Sequence, residues 1–390
     1  MTFGERLTAL LEILIVHLDI PQSYYKKAVD RHRSLESWLC REGSSIARLR
    51  PHVSAQGSFR YGTVIRPLVP IDEYDLDNVT RLHLSKNRLS QRELKQLYGA
   101  EIKLYAAQAN MKADPEEKNR CWRLRYADEV KFHVDTLPCI PEDPRRIGQL
   151  EAMGVLPSFA KYAIAITDRS HSRFRSVTVD WPSSNPRGFA EWFELKARSG
   201  AVARIKALTE SRQYRSADDI PPYELKSALQ RSIQILKRHR DVMFIKNADL
   251  APISMIITNL ATHAYEGETD LWQALSNIAE RMPRFIQRVP PYVPNPADPA
   301  EDYADRWSTN PLLKRNFELW LAQVALDIPA LMEALQGGTI ERELERRFKV
   351  ELTLEDASLL SSGSGTSATA GRAVSVPYFS PPPRPWAAGA

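Results

Sequence analysis

Hydrophobic residues recur at helical spacing at the start of the chain and throughout its second half. Leu7, Leu11, Leu14 and Leu18 fall on one stripe, which predicts an amphipathic helix over residues 3–18. Further helical patterns run from Pro21 toward Gly43 and over residues 91–113, 223–242, 252–265, 271–282 and 311–336. The second half of the chain is therefore expected to be almost entirely helical.

Short runs of alternating residues lie between these helical regions. The run from Tyr74 to Val79 alternates acids with apolar or aromatic residues, which is the two-residue period of a strand. The other strand candidates are residues 121–127, 130–137 (ended by Pro138), 161–168 and, more weakly, 176–181. Strands followed by helices predict an α+β fold.

The length of the chain favours two lobes. At 390 residues it exceeds the roughly 250–300 residues at which single cores stop growing. We predict a first lobe over residues 1–195, with N-terminal helices and a mixed sheet, and a helical lobe over residues 196–350. Residues 351–390 are predicted to be a flexible tail, because residues 361–390 contain no Lys, Asp or Glu and are rich in small residues and proline.

Composition and charge narrow the class of protein. Hydrophobic residues make up 43% and charged residues 26%, which excludes disorder of the whole chain. We expect no membrane span, and acids interrupt the apolar N-terminus, so a cytoplasmic protein is expected. The widely spaced Cys40, Cys121 and Cys139 suggest reduced thiols. A net charge of +5 permits a polyanionic ligand without indicating a long nucleic acid.

Two carboxylates on one strand are the first sign of chemistry. Asp75 and Asp77 are two residues apart, so both would face the same side, where they repel unless a cation lies between them. Asp135 lies in a neighbouring strand candidate, and three carboxylates could then converge on one or two metal ions. The alternatives are a solvated strand or turn for the pair and a turn cap for Asp135. His133, two residues before Asp135, could act as a base, orient Asp135, or be a stacked or core histidine.

A glycine turn lies just upstream of the acids. Gly57 would let the backbone approach a phosphate closely, and Ser58 adds a hydroxyl donor. Gly-Ser pairs also occur by chance. The order of this turn, the acid pair and the third acid nevertheless favours the handling of nucleoside triphosphates.

These segments, GSFRYGT (57–63), EYDLD (73–77) and FHVDTLP (132–138), resemble the DNA polymerase β-type nucleotidyltransferases. Within that superfamily the chain resembles the bacterial cyclic-oligonucleotide synthases called CD-NTases, relatives of animal cyclic GMP–AMP synthase and the oligoadenylate synthetases. PSSNPRGFAEWF (182–193) looks like their connector to the helical lobe. The resemblance covers roughly residues 1–350 and implies a two-lobed polymerase β-like fold, with catalysis in the first lobe.

The resemblance also implies site residues. Mg²⁺ or Mn²⁺ would be held by Asp75, Asp77 and Asp135. The donor triphosphate would be held by Gln56, Gly57, Ser58, Lys237 and Ser254. Arg238 and Arg240 are rivals of Lys237, which could instead lie on a solvated helix face, and Ser254 could be a helix-start cap.

The implied activity is synthesis of a cyclic di- or trinucleotide messenger from NTPs, with ATP and GTP as expected substrates. Bacterial anti-phage signalling is the implied setting, in which a downstream effector binds the product. The alternatives are a linear, poly(A)-type nucleotidyltransferase and a silent nucleotide-binding module. Scattered cysteines cannot supply the zinc cluster of the animal synthase, so we expect no zinc and no DNA activator. The base identity stays open.

The tail suggests two kinds of partner. Some CD-NTases are conjugated through their C-terminal carboxyl by ubiquitin-transfer-like proteins, and the small residues before Ala390 leave that end accessible. Alternatively, PPPRP, flanked by Tyr378, Phe379 and Trp386, could dock as a polyproline II ligand of a regulatory partner, or the tail could have no role.

Overall fold

The fold is taken from a computed structural model that describes residues 2–69, 73–111, 113–126, 132–199 and 226–361. The helices are α1 (Phe3–Leu18), α2 (Gln22–Cys40), α3 (Gly57–Arg60), α4 (Gln91–Gln108), α5 (Pro144–Ala152), α6 (Pro157–Ala160), α7 (Pro186–Ser199), α8 (Ala228–Met243), α9 (Ser254–Ala264), α10 (Leu271–Arg281), α11 (Pro311–Gly337), α12 (Ile340–Phe348) and α13 (Leu354–Ser361). The strands are β1 (His52–Gln56), β2 (Tyr74–Arg81), β3 (Glu116–Glu117), β4 (Trp122–Tyr126), β5 (Phe132–Pro141), β6 (Ile164–Ile166), β7 (Ser183–Ser184), β8 (Pro294–Asn295) and β9 (Asp298–Asp302). The chain is thus α+β, as predicted.

A mixed sheet forms the centre of the first lobe. Its strands lie in the order β1-β2-β5-β4-β3, and β6 and β7 continue from the far end of β5. Strands β2 and β5 are parallel, while the other neighbours are antiparallel. The predicted mixed sheet is therefore confirmed among the described residues.

Alternation along β2 and β5 separates a core face from a polar face. On β2, Tyr74 and Leu76 are buried in the core that α2 and α4 cover, and on β5 Phe132 and Val134 join the same core. The residues between them, which include Asp75, face the other way because strand side chains alternate. The polar face of the sheet is where the site described below lies.

Three predicted elements differ from the structure. Strand β5 continues through Pro138 to Pro141. On this side, β4 pairs only as far as Thr136 and β6 begins to pair at Cys139, so Pro138 falls between the two strands and its missing N–H breaks no bond to either. The helix predicted over residues 91–113 ends at Gln108. Residues 176–181, predicted as a weak strand, form no strand and expose Val177 and Val179.

The second lobe is a helical core to which both ends of the described chain contribute. Leu10 and Leu14 of α1 are fully buried there together with Leu236 of α8 and Trp320 of α11. The N-terminal helix was predicted in the first lobe, but its apolar stripe covers the second. Residues 351–361 were predicted to begin a flexible tail, but α13 lies there and buries Leu360 in the same core.

The predicted boundary at residue 195 falls inside α7. Because Phe189 and Phe193 of that helix belong to the helical core, the helix carries the chain from one lobe into the other. The division into lobes at that residue stays a prediction. The conjugation and docking hypotheses for the tail concern residues 362–390, which lie outside the described part of the chain.

A buried ion pair joins β9 to the first lobe. Asp298 is fully buried and accepts hydrogen bonds from Arg146 Nη2 at 2.6 Å and from Ser183 Oγ at 2.8 Å. Since Arg146 belongs to α5 and Ser183 to β7, one carboxylate ties together three elements that are distant in sequence.

Two further expectations concern membrane-crossing helices and the state of the cysteines. Among the helices of the described residues, none combines the length and apolar character that a membrane crossing requires. All three cysteines are free.

Candidate active site

A cavity of about 1180 Å³ lies between the sheet and the helical lobe. Seven of the eight predicted site residues line it: Gln56, Gly57, Ser58, Asp75, Asp77, Lys237 and Ser254. The eighth, Asp135, is the direct neighbour of Asp77 across the parallel pair of β2 and β5. The fold thus gathers residues from positions 56 to 254 around one cleft.

The turn at Gly57 brings the backbone against a carboxylate. Gly57 has a φ of +66°, a left-handed conformation that favours glycine, and it begins the four-residue helix α3 directly after β1. A Cβ added there would lie 2.2 Å from Asp77 Oδ2. Glycine is therefore required both for the conformation of the turn and for its approach to the acid.

Of the three acids, Asp77 is the one whose negative charge is not paired with a basic side chain among the described residues. Burial, followed by the charges of Asp75 and Asp135, raises the pKa of Asp77 well above its ordinary value. Arg123 and Lys237 act in the opposite direction but more weakly. A partly buried carboxylate beside two others fits a bound divalent cation, which would remove this repulsion.

The two acids beside Asp77 are each held by a base. Arg123 donates from Nε to Asp135 Oδ1 and from Nη2 to Asp135 Oδ2, both at 2.7 Å. His133 Nε2 lies 3.0 Å from Asp75 Oδ1, and its Nδ1 lies 3.1 Å from Glu73 Oε2. His133 is therefore neither stacked nor a core residue but connects two carboxylates.

These side chains suit a hard cation. Ligand atoms of Asp75, His133 and Asp135 all lie within 4.8 Å of one another, and Asp77 adds a carboxylate next to them. Carboxylate oxygens are the ligands that Mg²⁺ and Mn²⁺ prefer. The donor set thus fits a divalent metal ion.

Lys237 faces the cleft from α8. Its Nζ donates to the backbone oxygen of Thr63 at 2.9 Å, and the side chain is buried. Burial, and then the charge of Arg240, lowers the pKa of Lys237 to about 8. It does not lie on a solvated face, so the alternative weighed for it is wrong.

The two alternatives to Lys237, Arg238 and Arg240, differ in whether they line the cleft. Arg238 donates to the backbone oxygen of Arg66 and does not line the cleft, whereas Arg240 does. Arg240 Nη2 also donates to Ser254 Oγ at 3.2 Å. Ser254 is the first residue of α9, and its side chain makes no capping hydrogen bond, so the alternative of a helix-start cap is wrong.

Several residues of the cleft could not be found from sequence patterns. Arg123 reaches Asp135 only through the antiparallel register of β4 and β5, which no local pattern encodes. Glu73 and His133 were both visible in the motifs, but no pattern indicated that their side chains contact each other. Glu301 and Tyr303 line the cleft from β9 and the residue after it.

Comparisons with known proteins agree with this geometry. The family model of the cyclic GMP–AMP synthase DncV-like nucleotidyltransferase domain matches residues 51–139, which include the turn and all three acids. A c-di-GMP synthase of Roseivirga ehrenbergii is 24% identical over 303 residues, which is 77% of this chain and 72% of the relative. The cyclic dinucleotide synthase CdnG of Bradyrhizobium diazoefficiens is 25% identical over 362 residues, which is 87% of this chain and 79% of the relative.

The fold agrees as well. The structure of the Bradyrhizobium diazoefficiens CD-NTase CdnG in complex with GTP aligns with a TM-score of 0.65 at 22% identity, covering 90% of this chain and 96% of that one. The alignment shows that the two chains share a fold over almost their whole length. With the glycine turn and two of the three acids lining the cleft, the chain is a nucleotidyltransferase that is similar to the cyclic dinucleotide synthases in sequence and to a CD-NTase in fold.

Proposed function

We propose that this enzyme makes a cyclic dinucleotide from purine nucleoside triphosphates. The observation that carries the proposal is that Asp75 and Asp77 line the cleft with Asp135 beside Asp77 on the neighbouring strand, and that the Gly57 turn lies against Asp77. The names of two relatives support it, since one is a c-di-GMP synthase and the other a cyclic dinucleotide synthase. GTP and ATP are the proposed substrates, and the base composition of the product is the open part of the proposal.

The proposed ion is Mg²⁺, which Mn²⁺ can replace, held by Asp75, Asp77 and Asp135. When bound, such an ion neutralises triphosphate charge and lowers the pKa of a ribose hydroxyl. Gln56, Gly57 and Ser58 would contact the donor triphosphate from the sheet side of the cleft, and Lys237 and Ser254 from the helical side. Arg240 joins this set because it lines the cleft and donates to Ser254.

The reaction is a nucleotidyl transfer. A ribose hydroxyl oxygen of one nucleotide bonds to the α-phosphorus of another, the bond between the α-phosphorus and the bridging oxygen breaks, and pyrophosphate and one proton are released. A second transfer within the linear intermediate closes the ring. The enclosed cleft contributes by holding both nucleotides in line, which is a large part of catalysis in such reactions.

Product analysis tests the proposal. The purified chain is incubated with all four NTPs and Mg²⁺ or Mn²⁺, treated with phosphatase and examined by mass spectrometry. We expect a phosphatase-resistant cyclic product in the wild type and none in Asp75→Asn/Asp77→Asn protein. A ladder of linear products would instead support a poly(A)-type enzyme, and nucleotide binding without turnover would support a silent binding module.

We also propose that the enzyme works in the cytoplasm in anti-phage signalling, where an effector protein binds its product. Phage plating on bacteria that carry the gene with its neighbours, compared with an Asp77→Asn strain, tests this setting. Equal plating on both strains would contradict it. Conjugation through Ala390 is a separate proposal, tested by searching cells for an adduct that is absent after truncation at Leu360.

A further inference from the structure

Three side chains of the cleft, Glu73, His133 and Asp75, contact one another in series beside the proposed metal site. Glu73 Oε2 faces His133 Nδ1 at 3.1 Å, and His133 Nε2 faces Asp75 Oδ1 at 3.0 Å. All three residues line the cleft. The imidazole is thus fixed at both of its nitrogens, and one carboxylate oxygen of Asp75 is fixed in turn.

Asp75 needs such support more than its neighbours do. Half of its side chain is exposed (50%), whereas the His133 side chain is 14% exposed. The neighbouring acid Asp135 is held at both oxygens by Arg123. For Asp75, the described hydrogen-bond and ion-pair contacts include only the one to His133, at Oδ1, which leaves Oδ2 available to a cation.

We infer that His133 is a positioning residue that orients Asp75 for binding a divalent cation, and that Glu73 fixes the imidazole in that role. The inference rests on the proposed metal site and adds two residues to it. It follows a general arrangement in which an outer side chain holds a metal-binding group in place. The imidazole nitrogen that donates a hydrogen bond to Asp75 has no lone pair left for the metal.

Direct coordination by His133 is the competing arrangement, since one of its ring nitrogens lies within 4.8 Å of ligand atoms of Asp75 and Asp135. Two observations favour the positioning role. Both ring nitrogens already face carboxylate oxygens, and the other candidate ligands are oxygens, which suit Mg²⁺ better than nitrogen does.

The test measures Mn²⁺ binding to the full chain without nucleotide by calorimetry. We expect His133→Leu to weaken Mn²⁺ binding by about 10–100-fold, as losses of outer supporting groups typically do. His133→Gln should recover part of the affinity because its amide can still donate to Asp75, and Glu73→Gln should weaken binding less than His133→Leu. His83→Leu, at an exposed histidine of the same lobe, is the matched control and should bind Mn²⁺ like the wild type.

Activity provides a second readout. His133→Leu should need more Mn²⁺ for half-maximal synthesis but approach the wild-type kcat once Mn²⁺ saturates the site. If His133 only supported the fold, His133→Leu would lower the melting temperature and leave the Mn²⁺ dependence of synthesis unchanged. If His133→Leu does not fold, the Gln variants of His133 and Glu73 carry the same test.

Three results would overturn the inference. Unchanged Mn²⁺ affinity in both His133→Leu and Glu73→Gln, while Asp77→Asn loses binding, would reject it and leave the proposed metal site intact. A directly bound nitrogen in the pulsed electron paramagnetic resonance spectrum of the Mn²⁺ complex would make His133 a ligand instead. No Mn²⁺ binding by the wild type would reject both the inference and the metal site.

Discussion

The Cα of Gly57 lies so close to Asp77 that a single added carbon would sit 2.2 Å from the carboxylate Oδ2. Gly57→Ala should therefore displace the acid or the turn. Together with the left-handed conformation at φ +66°, we expect a loss of about 1–3 kcal/mol in unfolding free energy. Synthesis should fall by at least about 100-fold, because misplacement of reacting groups by about 1 Å has that effect.

Gly148→Ala is the matched control for this change. Gly148 lies in α5, and a Cβ there would meet nothing within 4 Å. Denaturant unfolding and product formation check both variants. Wild-type activity in Gly57→Ala protein would show that the close approach has no role in the site.

Asp77→Asn should raise the thermal stability of the metal-free protein and abolish its activity. Since burial and two neighbouring acids raise the pKa of Asp77, the folded state binds its proton more tightly than the unfolded state. The contribution to stability is present at low pH and is lost as the pH rises from the ordinary value of 3.8 through the folded pKa. At pH 7 without metal, the Asn variant should thus melt at a higher temperature than the wild type, although it makes no product.

Melting curves in chelator over a pH series check this prediction. The difference between the two proteins should shrink as the pH falls, and also when Mn²⁺ stabilises the wild type. A lower melting temperature of Asp77→Asn at pH 7 would mean that the carboxylate is compensated by a partner in the metal-free protein.

Lys237 should make nucleotide binding depend on pH. Its pKa of about 8 means that the free enzyme loses this positive charge as the pH rises above that value, so GTP binding should weaken there. Lys237→Arg stays charged and should bind GTP with a flat pH profile. Lys237→Gln should bind about 10–100-fold more weakly at neutral pH, as expected for loss of a charge-assisted hydrogen bond.

Calorimetric titration with GTP between pH 6 and pH 10, about two units on either side of the Lys237 pKa, provides the comparison. The Gln variant serves as the reference for any other titrating group in the cleft. An equal pH dependence in the wild type and in Lys237→Arg would remove Lys237 from triphosphate binding.

Asp298→Ala should loosen the contact of β9 with the first lobe. The change leaves Arg146 and Ser183 without their shared acceptor, and we expect a loss of about 2–4 kcal/mol in unfolding free energy. Asp180→Ala is the control, since that side chain is 65% exposed and lies 3.8 Å from Arg173, a pair worth about 0–1 kcal/mol. Similar denaturation midpoints for the two variants would contradict a structural role for Asp298.

The sequence predicted those parts of the site that depend on local periodicity. Asp75 and Asp77 share a face because strand side chains alternate, and this holds in β2. The parallel register that puts Asp135 beside Asp77 is a tertiary property, as is the pairing of Arg123 with Asp135. The resemblance to a family implied that Asp135 joins Asp77. Nothing in the sequence indicated that Arg123 pairs with Asp135.

The lobes illustrate the same limit. The leucine stripe of α1 predicted a helix with one buried face, and the helix begins and ends where expected. Amphipathicity does not tell which partner covers that face, and the structure places it against the helical core. Likewise, the low charge of residues 361–390 predicted a flexible tail but could not show where that tail begins. Leu360, the residue before this segment, is buried in the helical core.

The position of α1 has a consequence for biosynthesis. Its leucines pack against helices that follow residue 226 and against α13, so the ribosome makes this apolar helix well before its partners exist. At about 5–20 residues per second, the first of these partner helices follows α1 after about 10–40 seconds and the last after about 20–70 seconds. During translation the residues of the sheet are therefore complete while the apolar face of α1 still lacks the helices that cover it.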